Sequence, residues 1–264
     1  NDSTFLGTGN NHFIEFNSIL IGGNQTGNSN SFGYRNSGSG KSALFKNNLL
    51  MNARTGGTGQ HGAVSIETAT PATSWLPNSA NYNMYALKDT NTAFRWGFSS
   101  IQNIHAWRIS TQTDQYSFAM QEIKMPAGRL FADSAKGDLD INVNDSICWY
   151  VNGRGLPLAN ISDDYGATNV RSTSTSSGAV DIGSDEFNTT TTPPVLRMAG
   201  NHVNGGTDSL YFNGNLTATI TWSATGTLPQ ISNARFYAGT WPNDTTNNNT
   251  VTGARYINGY LLVN

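Results

Sequence analysis

Apolar residues in the first half of the chain come in short clusters separated by long polar stretches, which is a strand pattern rather than a long-helix pattern. His12-Phe13-Ile14-Glu15-Phe16 is followed, after Asn17, by Ser18-Ile19-Leu20-Ile21 and then a Gly/Asn/Ser stretch. Ala43-Leu44-Phe45-Lys46 is followed, after Asn47-Asn48, by Leu49-Leu50-Met51. The second pair repeats the first after roughly 30 residues, a spacing typical of stacked repeats. Asn17 and Asn48 occupy matching bends, where Asn tolerates left-handed backbone angles and can ladder with an Asn one coil away. The pattern predicts a solenoid of short parallel strands, continuing through Ala63-Val64-Ser65-Ile66-Glu67 and Asn81-Tyr82-Asn83-Met84-Tyr85. Between Trp96 and Phe118, the spacing of Ile101, Ile104, Trp107 and Ile109 suits a short amphipathic helix laid over the last coils.

The texture changes at Asn188. Residues 188–194 hold a Thr run and Pro193-Pro194 with no apolar residue, which predicts an extended linker. Beyond it, Leu216-Thr217-Ala218-Thr219-Ile220-Thr221-Trp222 alternates apolar and Thr positions, the mark of a half-buried antiparallel strand. Similar strands at Ser209–Phe212, Ala234–Tyr237 and Tyr256–Val263 predict a small β-sandwich over 195–264. Residues 1–187 form the expected solenoid with its cap, so the fold class is all-β: parallel β-helix coils plus an antiparallel β-sandwich.

The boundary carries a motif, Gly178-Ala179-Val180-Asp181-Ile182-Gly183-Ser184-Asp185-Glu186-Phe187. It resembles the GAxDIGADEF ending at which right-handed parallel β-helices of the pectin-lyase-like type stop in secreted proteins of Bacteroidota. Upstream, Trp107 and Thr111-Gln112-Thr113-Asp114-Gln115-Tyr116-Ser117 are similar to the W…TGxDxxS stretch of such tails, with Gln112 where Gly is common. The order of residues after Pro194 resembles the domains that precede sorting signals of the type IX secretion system. The resemblance implies a secreted, extracellular or cell-surface protein. Asn1 already reads as the middle of a coil, so the expectation is a chain cut from a longer product.

Composition narrows the partners. Only 12% of residues are charged and the formal net charge is −2, with basic residues scattered, which offers no footprint for nucleic acid or an anionic membrane. No apolar run approaches the ~20 residues of a membrane-spanning helix. The single cysteine, Cys148, sits between Ile147 and Trp149 and reads as a small buried hydrophobe.

Catalysis on polysaccharides needs paired carboxylates, or an acidic calcium cluster with a nearby base. Before Leu130 the acids are Asp2, Glu15, Glu67, Asp89, Asp114 and Glu122, with no two in one strand. The expectation is therefore a non-catalytic surface protein, a stalk, adhesin or filament component. Its partners would be other surface proteins or polysaccharide, and it could assemble through an exposed β-helix end. The rival is the closing part of a lyase or glycoside hydrolase whose site lies upstream of Asn1. Cofactors are not expected, apart from a structural calcium for which Asp163 and Asp164 are the candidates. Gly38-Ser39-Gly40-Lys41-Ser42 ends like a phosphate loop but lacks the flanking strand and helix. Five of the thirteen aspartates open Asp-Ser/Thr triplets whose third residue is small or aliphatic, resembling a Bacteroidota O-glycosylation signal, with Ser134, Ser209 and Thr245 as the acceptors to test. Trp241, beside Pro242 in a polar stretch, is the candidate carbohydrate contact.

Overall fold

The computed structural model describes residues 11–38, 42–68, 71–88, 93–121, 125–167, 169–174, 179–189, 191–200, 202–212, 215–228, 234–238 and 259–263. The first coil consists of β1 (Asn11–Glu15), β2 (Ser18–Ile21) and β3 (Ser31–Asn36). The second consists of β4 (Ser42–Lys46), β5 (Leu49–Asn52) and β6 (His61–Ile66). After a short helix, α1 (Pro71–Ser74), the third coil is β7 (Ala80–Asn81), β8 (Met84–Leu87) and β9 (Phe94–Trp96). Then β10 (Ser99–Ile101) folds back antiparallel on β9, α2 (Ile104–Thr111) crosses over, and β11 (Phe118–Gln121) adds a last parallel strand beside β8. The sheets β1-β4-β7, β2-β5-β8-β11 and β3-β6-β9-β10 make a β-solenoid of about three turns, consistent with a parallel β-helix.

The interior follows from strand alternation. Phe45, Leu50, Val64, Ile66, Tyr85 and Phe94 point inward and meet Trp75 and Trp107 in one buried cluster. Helix α2 begins where Asn103 caps it, its Oδ1 accepting from the Ala106 amide at 2.9 Å. It buries Trp107 and Thr111 and leaves Ile109 exposed, so its inward face is narrower than the sequence spacing implies.

Two expectations are refined. The segment around Asn81 is two strands rather than one, because Tyr82 takes a left-handed conformation at φ 58°. Phe16 and Asn47 do the same at φ 56° and 57°, so at each bend the left-handed residue is the one just before the laddering Asn. The long polar excursions are also ordered. Gln25 and Thr58 amides donate to the Thr55 and Gly27 carbonyls, and the Gln60 amide donates to Asn30 Oδ1, stacking one excursion on the other. Gly59 permits this approach, since a Cβ there would lie 2.0 Å from the Ser29 carbonyl oxygen. Gly59→Ala should cost about 1–3 kcal/mol, the usual price of overpacking, read as a lower urea midpoint at unchanged slope.

The described residues between 125 and 187 add no further coil. They form α3 (Ala127–Leu130), a hairpin of β12 (Phe131–Asp133) with β13 (Asp138–Ile141), a 3-10 turn at Ser146–Tyr150 and an irregular return to Phe187. The strand that holds Leu139, β13, pairs antiparallel with Phe131–Asp133 instead of stacking on the coils. This segment lies along the second face of the β2-β5-β8-β11 sheet. Leu49, Met51, Met84 and Ala86 there join Leu130, Phe131, Ile141, Cys148, Ile182 and Phe187 in one core. Hence β5 and β8 are buried on both faces.

Past Phe187, Thr189 Oγ1 donates to the Val143 carbonyl and Trp149 Nε1 to the Thr191 carbonyl. Strands β14 (Arg197–Gly200), β15 (Thr207–Phe212) and β16 (Asn215–Thr221) form an antiparallel meander. Leu196 and Leu210 enter the same core as the cap, with Ala218 and Ile220 packed against it, while Leu216 is exposed. A second antiparallel pair joins β17 (Ala234–Ala238) to β18 (Gly259–Val263). No described helix is long and apolar enough to cross a membrane.

Candidate functional site

Three polar constellations bring together chemistry-bearing side chains from separate parts of the chain. The first is an asparagine row along the bend between the first two sheets. Asn17 donates from its amide N and from Nδ2 to Asn48 Oδ1, 31 residues on. Asn48 does the same to Asn83 Oδ1 after 35 residues, and the Asn83 amide N donates to Ser117 Oγ after 34. The row ends on Asp114, which is fully buried. Its Oδ1 accepts from Asn83 Nδ2 at 3.0 Å, from Tyr85 OH at 3.0 Å and from Ser117 Oγ, and its Oδ2 accepts from Trp107 Nε1 at 2.8 Å. Burial, reinforced by the Asp114 charge, pushes the Tyr85 phenol well above its ordinary range, so it stays a donor. The Asp-x-x-Ser element thus replaces the next asparagine and closes the ladder.

The second constellation is the boundary motif, and it works as a clamp. Asp181 accepts from the Gly153 and Phe187 amides. Asp185 Oδ2 accepts from the Ile141 amide at 2.8 Å. Glu186 Oε2 accepts from Arg171 Nη1 at 2.9 Å and from the Asp181 amide at 3.0 Å. Gly183, at φ 106°, donates to the Asn47 carbonyl, and a Cβ there would sit 2.7 Å from Ser18 Oγ. Ser184 donates its amide to Ser18 Oγ, and Leu156 exchanges two hydrogen bonds with the Asn47 side chain. Arg171, with its side chain fully buried, lies 4.2 Å from the Phe16 ring centroid and donates to the carbonyls of Asp163, Asp181 and Gly183. Burial and the Glu186 charge push Asp181 well above the usual carboxyl range; burial raises Glu186 and Asp185 too.

The third is an open cleft of about 360 Å³ where the second coil's excursion overhangs the third coil, lined by Arg54, His61, Lys88 and the backbone of Gly56, Gly57 and Gly59. The His61 ring is held between Ser31 Oγ at 2.8 Å and the Gly56 carbonyl at 3.1 Å. Arg54 Nε donates to the Gly22 carbonyl at 3.1 Å.

Among the residues singled out from sequence, Asp163 is exposed, forms a lone bridge with Val170 and uses its carbonyl to hold Arg171. Asp164 is buried beside it, its carbonyl accepting from the Ala167 amide. Among the described residues no group of three or more His, Cys, Asp or Glu is arranged to hold a metal ion. Ser134 is half-buried in the turn following β12, and Ser209 is half-buried inside β15. Asp208, just before Ser209, is buried and bound by His202 Nδ1 and Trp222 Nε1. Thr245 and Trp241 lie outside the described residues. Cys148 is buried, and burial raises its thiol above the ordinary range. Arg171 carried no signal in the sequence, whereas Asp114 and Ser117 could have been found by extending the asparagine period one step further. Compared with protein-family models, curated proteins and solved structures, the chain matches none.

Proposed function

We propose that the chain is a non-catalytic structural or adhesive module of a secreted, cell-surface protein, a right-handed β-helix stalk joined to a β-sandwich and exported by a type IX-like route. The observation that carries this reading is the use made of carboxylates. Asp114 ends the ladder, and Asp181, Asp185 and Glu186 build the clamp. Glu67 bridges Arg35 and Arg95 across three coils, and Asp145 caps the 3-10 turn and pairs with Arg129. Among the described residues, the cleft above is lined by cations and glycine backbone rather than by acids. A rigid ladder-and-clamp body of low charge suits a spacer that holds surfaces apart.

The test is surface display. Whole source cells are treated with a non-penetrating protease, and the chain is followed by antibody and by mass mapping of its Asp-Ser/Thr peptides. The expected result is loss of the chain from intact cells, with hexose-type additions on the peptide containing Ser134. A chain protected until lysis overturns the proposal. Release of unsaturated or reducing sugar ends from polysaccharide by the purified chain would instead favour the enzyme reading.

A further inference from the structure

We infer that the cleft between the second and third coils is a binding site for a tetrahedral oxyanion, a sulfate or phosphate group carried by a glycan or free in solution. The inference deepens the surface-binding reading above. Residues 53–60 of the second coil stack on residues 22–30 of the first. The notch is lined by that second excursion and by Lys88, the residue that follows β8 in the third coil.

Two cations on successive coils face this notch. Arg54 and Lys88 both follow strand ends anchored by the buried Asn52, whose Oδ1 accepts from the Arg54 amide and whose carbonyl accepts from the Lys88 amide. Asn52 is itself locked by donating Nδ2 to the Ser31 and Gly62 carbonyls. Arg54 is further held through Nε on Gly22, which restricts its guanidinium before any ligand arrives. Among the described residues, none that lines it is acidic. The nearest acid along β6, Glu67, is occupied by Arg35 and Arg95. His61 is fixed with both ring nitrogens engaged, so it forms a wall rather than a mobile donor.

The chemistry of such a notch is specific in kind. A guanidinium offers paired N–H donors, an ammonium adds a compact point charge, and together they match an oxyanion of one to two negative charges. Gly56 and Gly57, with φ 78° and 67°, line the wall with backbone, and a Cβ on either would collide with the first coil's excursion. The pocket is polar and open, unlike the apolar enclosure that holds drug-sized ligands, and suits a charged substituent on a long chain that passes over it.

The test uses the whole chain and three probes: inorganic sulfate, a sulfated galactan oligosaccharide and its desulfated form. Calorimetric titration is run at low and at physiological salt on the natural protein, on Arg54→Gln and on Lys88→Gln. Sulfate and the sulfated oligosaccharide should bind the natural chain, each substitution should weaken binding about tenfold, and added salt should weaken it further. Preference for the oligosaccharide over inorganic sulfate identifies a glycan source, and equal affinity per group identifies free anion; both support the site. Equal binding by the natural chain and both variants, or binding of the desulfated oligosaccharide alone, overturns it. Lys88 is exposed and Arg54 is half-buried with one backbone contact, on the Gly22 carbonyl, so the variants should melt near the natural protein; if one does not, the other carries the test. Failure here leaves the scaffold reading standing, because surface display is measured separately.

Discussion

Asp114→Ala should be the most damaging single substitution in the solenoid, lowering stability by about 3–5 kcal/mol in urea unfolding. The estimate follows from what the carboxylate leaves behind. Asn83 Nδ2, Tyr85 OH, Ser117 Oγ and Trp107 Nε1 all lose an acceptor in a place water does not reach. A buried donor without a partner costs about 1–3 kcal/mol, and a bond to a charged group is worth more than a neutral one. Relaxation will recover part of the sum, which is why the expected loss is smaller than four such costs. Asp114→Asn should cost less, because one oxygen still accepts while the new NH2 faces donors. Asn83→Ala tests the ladder independently, since it removes the acceptor that holds both the amide N and Nδ2 of Asn48. If Asp114→Ala unfolds with a midpoint close to that of an exposed substitution such as Ile109→Ala, the closing role assigned to the carboxylate is wrong.

The legibility of this fold varied with the range of the interaction. The solenoid was readable because its signal is local and repeated: the Asn17 and Asn48 bends recur with the coil, and the ladder is the physical cause of that recurrence. The left-handed residue at each bend was placed one position late, since sequence marks the asparagine that ladders and is silent on its neighbour, which can be Phe16, Asn47 or Tyr82. The lateral packing of residues 125–187 was not readable. Leu49, Met51, Met84 and Ala86 form continuous apolar runs with their neighbours, and such runs say that both faces are buried without saying by what. The boundary motif was found, but its chemistry was hidden, because one of the two Asp181 partners and the cation opposite Glu186 are contributed by Gly153 and Arg171, both outside the motif. The cationic cleft was hidden for the same reason. Arg54 and Lys88 read as isolated basic residues until the coils bring them to one notch.

The clamp yields the second large effect, and it has a pH signature. Arg171→Met keeps much of the stem but strands Glu186 and the carbonyls of Asp163, Asp181 and Gly183, and should cost about 3–5 kcal/mol, as expected when one partner of a buried ion pair is removed. Restoring neutrality with Arg171→Met plus Glu186→Gln should recover part of that loss, a coupling visible in a double-mutant cycle. The sign of the pH effect follows from the direction of the shifts. Asp181 and Glu186 both stand above their unfolded values, so the folded chain holds their protons more tightly. Their contribution to stability is complete below the ordinary carboxyl range, about pH 4, and is lost as pH rises through the raised folded values. Asp145 and Glu67, held below their ordinary values, act in the opposite sense and lose stability as pH falls. Asp181→Asn removes one component alone. It should lower stability at mildly acidic pH more than at neutral pH, so that the two proteins' melting curves converge as pH rises. Parallel curves for the natural chain and Asp181→Asn across that range would mean that Asp181 is ionised throughout, and that Arg171 with the two amides outweighs the burial and the Glu186 charge.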